Sequence, residues 1–438
     1  MEMFRNPYPR TYDVIVCGGG PAGIAAAVSA ARQGAQTALI ERYGILGGML
    51  TSGHVQPILG RAEGRTMYDE IVELLSEGHE DAPKMVTRNG AEIGFDLEEA
   101  KYRLLKLCVD NGVYVYLQTV VADVIKEENR ITGLKVCTSM GLAELKAKVV
   151  VDSTGDGFVA ALAGAPFEMG RPGDGKCQPV TLEFTVDNVD ETVGITAWGG
   201  SDPVTLPDGI KYSQACKDAN ARGELPENVT IVRLHRTINP GERNVNATQV
   251  NGRNSLTVEG IVESELLLRE QVKPIMDFLQ KTAPGFANAR VKSSASTLGV
   301  RETRRFVGEY VLSDTDVEVG ARFEDVVVHK AWFLIDIHNP VGGGQAEKRS
   351  QPATPYDIPY RSLVPLEIDG LLLSGRNISG THRAHASYRV MGVALATGQA
   401  AGVAAALSAQ EDCVPRVLDY RKIQNVLADY GAQLFVEN

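Results

Sequence analysis

The chain has 438 residues, 44% hydrophobic and 23% charged, which is ordinary globular composition and enough for two or three folding units at roughly 150 residues each. Disorder, collagen and coiled coil are excluded. Its 44 Lys and Arg stand against 55 Asp and Glu, a net charge of −11, so the general basic excess that neutralises nucleic-acid phosphates is missing and no nucleic-acid partner is expected.

Met1 to Tyr12 carries charges and prolines but no apolar core, so it does not read as a secretory signal. The cysteines (Cys17, Cys108, Cys137, Cys177, Cys216 and Cys413) are scattered, with no CxxC and no metal-ligand spacing. Free thiols, a cytoplasmic location and no metal are the expectations. Tyr12 to Cys17 is a short apolar run with β-branched residues, the pattern of a parallel strand buried on both faces. Gly18, Gly20 and Gly23 follow as GxGxxG around Pro21 and Ala22. Ile24 to Gln33 then reads as an Ala-rich helix closed by Gly34, and Thr37 to Ile40 as a second strand ending at Glu41 and Arg42.

These residue types have a physical reason. Gly18 permits the tight turn, Gly20 lets backbone approach a pyrophosphate, and Gly23 lets the helix sit close on the strand. The helix N-terminus holds the diphosphate with free N–H groups, which reconciles an anionic cofactor with an acidic protein. Glu41, 18 residues after Gly23, suits ribose hydroxyls and disfavours a 2′-phosphate, so NADP is not expected here. A bare glycine triplet is also compatible with a structural turn. Strand before, helix after and an acidic end to the second strand favour dinucleotide binding.

Further along, Gly44-Ile-Leu-Gly47-Gly48-Met49-Leu-Thr51-Ser52-Gly53 supplies a second glycine pair. From Tyr12 to Gly53 the sequence resembles the FAD-binding head of the FAD-dependent oxidoreductases of the glutathione reductase-like superfamily. Val149 to Gly157 is similar to that fold's strand-then-Thr-Gly segment, and Leu371 to Thr381 with the Ala/Gly helix after it to its closing strand and helix. The phrases Gly299 to Arg305, Tyr356 to Pro365 and Gly398 to Gly402 resemble one poorly characterised bacterial subfamily. The resemblance covers nearly the whole chain and implies a non-NADP flavoprotein with FAD held by Gly18, Gly20, Pro21, Ala22, Gly23, Glu41, Arg42, Gly47, Gly48, Met49, Thr154, Gly155, Gly375, Arg376 and Gly392. One departure stands out. Where many members place Asp after the closing strand's Gly, Gly375 is followed by Arg376, which could pair with the diphosphate, leaving backbone near Asn377 for the ribityl hydroxyls. His54, after the glycine pair, does not have the spacing of the superfamily's covalent flavin histidines.

The fold class expected is α/β: a Rossmann-like FAD-binding domain, a parallel sheet with helices, plus a mixed β-sheet substrate domain. The FAD-binding domain spans 1–165 and 360–410 with a small insertion near 60–105, the substrate domain spans 166–359, and 411–438 forms a C-terminal helical tail. Val113 to Cys137 reads as short strands with turns at Asn129 and Gly133, and Thr181 to Val186 and Val326 to Ile337 as strands. Val258 to Phe278 and Leu418 to Leu434 read as helices. The uncharged stretch Val390 to Ala409 contains a GxxxG at Gly398 and Gly402. Its Ala/Gly content fits a buried helix packed against a sheet better than a membrane span.

No second dinucleotide fingerprint is present, because Gly342-Gly-Gly344 sits between Asn339-Pro340 and polar Gln345 and reads as a loop. Without CxxxxC, disulfide reductase chemistry is not expected. Electrons are expected to pass between an organic substrate and a separate acceptor or donor. A flavin needs a substrate C–H held near N5, a proton acceptor or donor and charge stabilisation, roles suited to His and Arg. His382 and His385 precede the closing helix, which is expected to point its N-terminus at the flavin pyrimidine. His338 stands on a loop, and Arg301 could clamp a carboxylate or hydroxyl pair or form a structural ion pair with Glu302. The expected function is hydride transfer between a small hydroxylated or carboxylated metabolite and flavin N5. Monooxygenation and a non-catalytic flavin-binding subunit are the alternatives, and the partners expected are a small-molecule substrate, no membrane and a possible homo-oligomer.

Overall fold

The computed structural model describes residues 7–79, 84–87, 90–93, 95–199, 203–342 and 351–434, so Gly343, Gly344 and Gln345 of the glycine-rich loop lie outside the described residues. A seven-stranded sheet organises the chain. Its central strand, Thr11–Cys17, is flanked in parallel by Thr37–Ile40 on one side and by Gly141–Asp152 on the other. The former in turn pairs with Tyr114–Tyr116. Strand Gly141–Asp152 is 12 residues long and does two jobs on its far edge. Its first half pairs antiparallel with Arg130–Thr138, and its second half pairs parallel with Leu371–Leu373.

Asn129 falls in the connection between Val120–Glu127 and Arg130–Thr138, as expected, but Gly133 does not turn the chain. It lies within the strand, where a Cβ would stand 2.5 Å from the carbonyl oxygen of Leu145. Close approach of two strand backbones therefore explains that glycine.

The opening helix, Pro21–Arg32, starts with Pro at the position where a missing N–H is harmless and ends before Gly34, whose φ is +81°. The closing helix, Met391–Gln410, is buried along almost its whole length. Among the described residues it is one helix long and apolar enough to cross a membrane, with 89% of its apolar window buried in the protein. Its GxxxG serves an intramolecular seam. A Cβ at Gly398 would collide with the carbonyl oxygen of Ala22, and one at Gly402 with that of Ala26. The close packing expected against a sheet is thus made first against the opening helix, because only glycines let the two backbones approach so far.

The second unit is built on a four-stranded antiparallel sheet in the order Arg233–Arg236, Arg243–Asn246, Phe184–Asp187, Arg290–Ser294. It is antiparallel throughout rather than mixed. The 25-residue helix Val258–Thr282 contributes Ile275, Phe278 and Leu279 to the core beneath it. That core and a satellite cluster run from Val180 to Leu298. Phe306, Leu312, Val326 to Val328, Tyr356 and Ile358 are buried with the opening strand instead, so the cofactor-side core takes up chain well before residue 360. The tail helix, Tyr420–Asp429, packs Ile423 and Leu427 into the same core.

Candidate functional site

Parallel pairing brings the carboxyl ends of four strands to one edge, with Cys17 in register with Ile40 and Asp152, and Asp152 with Leu373. The residues that follow each end, Gly18, Glu41, Ser153 to Gly155 and Ser374 to Arg376, therefore meet in one crevice. Ligands of open α/β sheets bind at such an edge.

Gly18 has φ +95°, and a Cβ there would be 2.5 Å from the Ser153 carbonyl oxygen. Gly23 touches the Gly18 carbonyl so closely that no side chain fits. Gly20 is different. Its backbone is extended, and around a Cβ the nearest heavy atom is Gly48 Cα at 4.0 Å. No side chain caps the opening helix and no acidic residue lies in its first turn, so the donors of Ala22 and Gly23 lack side-chain partners. Gly47, with φ +108°, donates its N–H to the Gly19 carbonyl at 2.8 Å and brings Gly48 and Met49 against this turn. A cradle with open space at Gly20 and unclaimed helix N–H groups fits a diphosphate.

Glu41 is 5% exposed; its carboxylate accepts from the N–H of Gly19 at 2.6 Å and of Tyr43 at 2.8 Å. Burial raises its pKa against those hydrogen bonds. Arg42 is exposed and stacks over Tyr43 at 4.8 Å. Asp152, fully buried, accepts from Thr154 Oγ1 at 2.7 Å and from the N–H of Ala160 at 2.8 Å, which fixes the Thr154-Gly155 turn. Gly375, at φ +78°, donates its N–H to Thr397 Oγ1 at 3.1 Å. Arg376 is engaged by protein: its Nη2 bonds Asp156 Oδ1 at 2.6 Å and its Nη1 bonds Thr303 Oγ1 at 3.3 Å. Burial alone would raise the carboxyl of Asp156, and the Arg376 guanidinium, the Thr303 hydrogen bond and Arg42 together more than offset it. Gly392 is committed to packing, since a Cβ there would collide with the carbonyl of Gly60.

After Thr381 the chain forms two helices, the long one starting beyond His382 and His385 as expected. His382–Tyr388 is a seven-residue helix capped by Thr381, and the long helix begins only at Met391. His382 Nδ1 bonds Glu302 Oε1 at 2.8 Å, and Glu302 also pairs with Arg305. The ion pair weighed between Arg301 and Glu302 is not formed, because alternate residues of an extended segment face opposite ways. Arg301 instead bonds the Pro179 carbonyl at 2.9 Å and Thr181 Oγ1 at 2.5 Å, both through Nη1. His385 is completely buried, both ring nitrogens lack a partner, and its ring meets Tyr388 edge-on at 5.4 Å. Burial, then Arg305, Arg389 and Arg376, hold it well below the ordinary histidine range.

His338 Nε2 lies 3.2 Å from Asp336 Oδ2, and Arg389 Nη2 bonds the Asp336 carbonyl oxygen at 3.1 Å. Burial and Arg301 push His338 down to about 3, Asp336 opposing. Gln178 ties the pieces together, donating its N–H to Glu302 Oε2 at 3.1 Å and accepting from the N–H of His338 at 3.1 Å. So Arg301, His338, His382 and His385 converge, with chain neighbours Arg301 and Glu302 in different parts of the cluster. Sequence reasoning missed Asp336, Glu183 and Arg233. A carboxylate inside the apolar strand run Leu182-Glu183-Phe184 was the available signal for Glu183. Cys177 is half-buried and its thiol is pushed up to about 11, chiefly by burial, which suits an unreactive thiol.

A mixed sheet whose parallel strands carry a glycine cradle at their carboxyl edge defines a dinucleotide-binding α/β protein. The chain belongs to the FAD-dependent oxidoreductases: the family model described as "FAD dependent oxidoreductase" matches residues 13–427. It is an FAD enzyme. It is 33% identical over 158 residues to the digeranylgeranylglycerophospholipid reductase of Picrophilus torridus, covering 34% of this chain and 39% of that one. It is 30% identical over 195 residues to the thiamine thiazole synthase of Aeropyrum pernix, covering 42% of this chain and 68% of that one. The chain thus spans about two-fifths of the length of the reductases it matches. The solved p-nitrophenol 4-monooxygenase of Pseudomonas putida has the same fold, at a TM-score of 0.50 and 11% identity over 96% of this chain and 84% of that one.

Proposed function

We propose that the protein passes a hydride between a small hydroxylated or carboxylated metabolite and N5 of FAD, with a separate acceptor or donor completing the cycle. When bound, FAD supplies two-electron redox chemistry at N5. Gly18 to Gly23, Gly47, Gly48 and Glu41 are the groups assigned to its diphosphate and ribose, and the unpaired ring of His385 to its isoalloxazine side.

The observation that carries this reading is the segment Arg301 to Arg305. Thr303 and Arg304 bond Asp156 at the cofactor edge, at 2.9 Å and 3.1 Å, while Arg301 reaches the Asp336–His338 cluster. A buried polar cluster bearing a histidine therefore adjoins the cofactor edge. Asp336 accepts a hydrogen bond from His338 Nε2–H, which sets the tautomer, and the Nδ1 lone pair would take the hydroxyl proton of an alcohol, as its C–H leaves as hydride, once a substrate anion offsets the Arg301 charge that holds His338 low. The alcohol would become a carbonyl, with FAD, where bound, as the acceptor of its two electrons.

The test is anaerobic addition of hydroxy acids and polyols to the FAD-loaded protein. Loss of the oxidised-flavin absorbance with one such compound, and a matching carbonyl product, is the expected result. Fast bleaching by NADH or NADPH alone, or by nothing in the panel, would remove the proposal.

A further inference from the structure

The buried cluster around His338 has a charge pattern that the overall acidity of the chain conceals. Arg301 is half-buried and uses only Nη1, so its Nε and Nη2 have no partner among the described residues. Arg233, on the facing strand Arg233–Arg236, is also half-buried, and its side chain makes no hydrogen bond or ion pair among the described residues. Arg389 bonds Asp336, but its buried Nε is unpaired. Arg389, Asp336, Arg233 and Glu183 are the charged neighbours of Arg301. Against the guanidiniums stand Asp336 and Glu183, with Glu302, already paired to Arg305, also acting on Arg389. Asp336 is held ionised, since His338, Arg389 and Arg233 more than offset its burial. Glu183 is pushed up to about 8 by burial, so near neutrality it is largely a protonated acid. Its Oε1 accepts from Asn246 Nδ2 at 2.8 Å, and its buried Oε2 makes no hydrogen bond, with the Asn244 side chain beside it.

Uncompensated guanidinium charge next to an unpaired carboxylic acid is an unfavourable arrangement in a buried site unless a ligand completes it. A carboxylate answers the charge, and planar guanidinium forks match it bidentately. A hydroxyl on the neighbouring carbon answers the idle oxygen of Glu183.

We propose that this cluster is the recognition subsite for a hydroxycarboxylate, the free edge of Arg301 together with Arg233 taking the carboxylate and Glu183 the adjacent oxygen. It rests on the hydride-transfer reading for why such a molecule binds there, yet it is a claim about binding. Arg301 and Arg233 are positioning groups for the substrate, and Asp336 keeps Arg389 and His338 in place.

The experiment titrates FAD-loaded protein with lactate, malate and tartrate and, in parallel, with their uncharged amides, following the flavin spectrum and calorimetric heat. Saturable binding of at least one acid and none of its amide is expected. Arg301→Met should weaken that acid by roughly tenfold or more, the weight of a charge-assisted hydrogen-bond pair, at unchanged FAD content. Arg233→Met should weaken it too, and Arg301→Lys should fall between wild type and Arg301→Met. Equal binding of acid and amide, no binding of any acid, or binding unmoved by either methionine variant overturns the proposal. Loss of FAD from Arg301→Met also overturns it, since the cluster would then serve the cofactor phosphates. The two readings fail separately: acid binding without flavin bleaching removes the redox reading alone, and bleaching by neutral polyols without acid binding removes only this one.

Discussion

Replacing Gly20 by alanine separates cofactor binding from folding. In the protein alone the added methyl meets nothing nearer than Gly48 Cα at 4.0 Å, and the extended backbone there accepts any residue. The unfolded chain loses some freedom and the helix start loses a good cap residue, so the apo protein should shift by less than about 1 kcal/mol. The methyl does, however, occupy the space assigned to the diphosphate. A ligand at about 100 times its Kd adds roughly 2.7 kcal/mol of stability, and Gly20→Ala should lose most of that increment. Gly23→Ala is the contrast, because its Cβ strikes the Gly18 carbonyl and the fold itself must give. Urea unfolding with and without excess FAD, together with the flavin-to-protein absorbance ratio, measures both quantities. The reasoning fails if Gly20→Ala purifies with normal flavin and keeps the full FAD increment, or if its apo form is as weakened as that of Gly23→Ala.

Gly402→Val should lower stability by about 3 kcal/mol or more, read as a drop in denaturant midpoint, because the side chain collides with the Ala26 carbonyl in a seam between two helix backbones. An unchanged midpoint would show that the seam can open freely. Glu183 should make stability fall with pH. Its folded pKa is raised from 4.5 to about 8, so the folded state holds the proton longer than the unfolded state. Its contribution is fully present below about pH 4.5 and disappears as pH rises through 8, with a ceiling of roughly 5 kcal/mol. The stability difference between wild type and Glu183→Gln, measured from pH 5 to pH 9, should therefore shrink or change sign in that direction; a difference constant with pH contradicts the burial argument.

The cofactor edge could be read from the chain because its parts are local. Cys17 to Gly23 contains strand end, turn and helix start in a single stretch, and the glycine chemistry of that stretch has few other uses. The same locality exposes the closing strand and the Thr154-Gly155 turn. Gly133 misled because a glycine demanded by the close approach of a distant backbone leaves the same mark in sequence as one demanded by a turn. The arginine cluster was hidden for a different reason. Glu183, Arg233, Arg301, Asp336 and Arg389 come from separate segments of the chain, and only tertiary packing decides that Arg301 faces them while Glu302 faces His382.

Strand Gly141–Asp152 has a consequence for how the protein is made. Until Leu371–Leu373 arrives, half of that strand presents bare N–H and C=O groups, and Ser153 waits for Ser374 across 221 residues. On the ribosome the nascent chain would carry this exposed edge for about half of its synthesis, a ready template for intermolecular pairing. Holdase capture during translation, and recovery improved by slow growth at low temperature, are what such a late-zipped edge would require of a host expressing it.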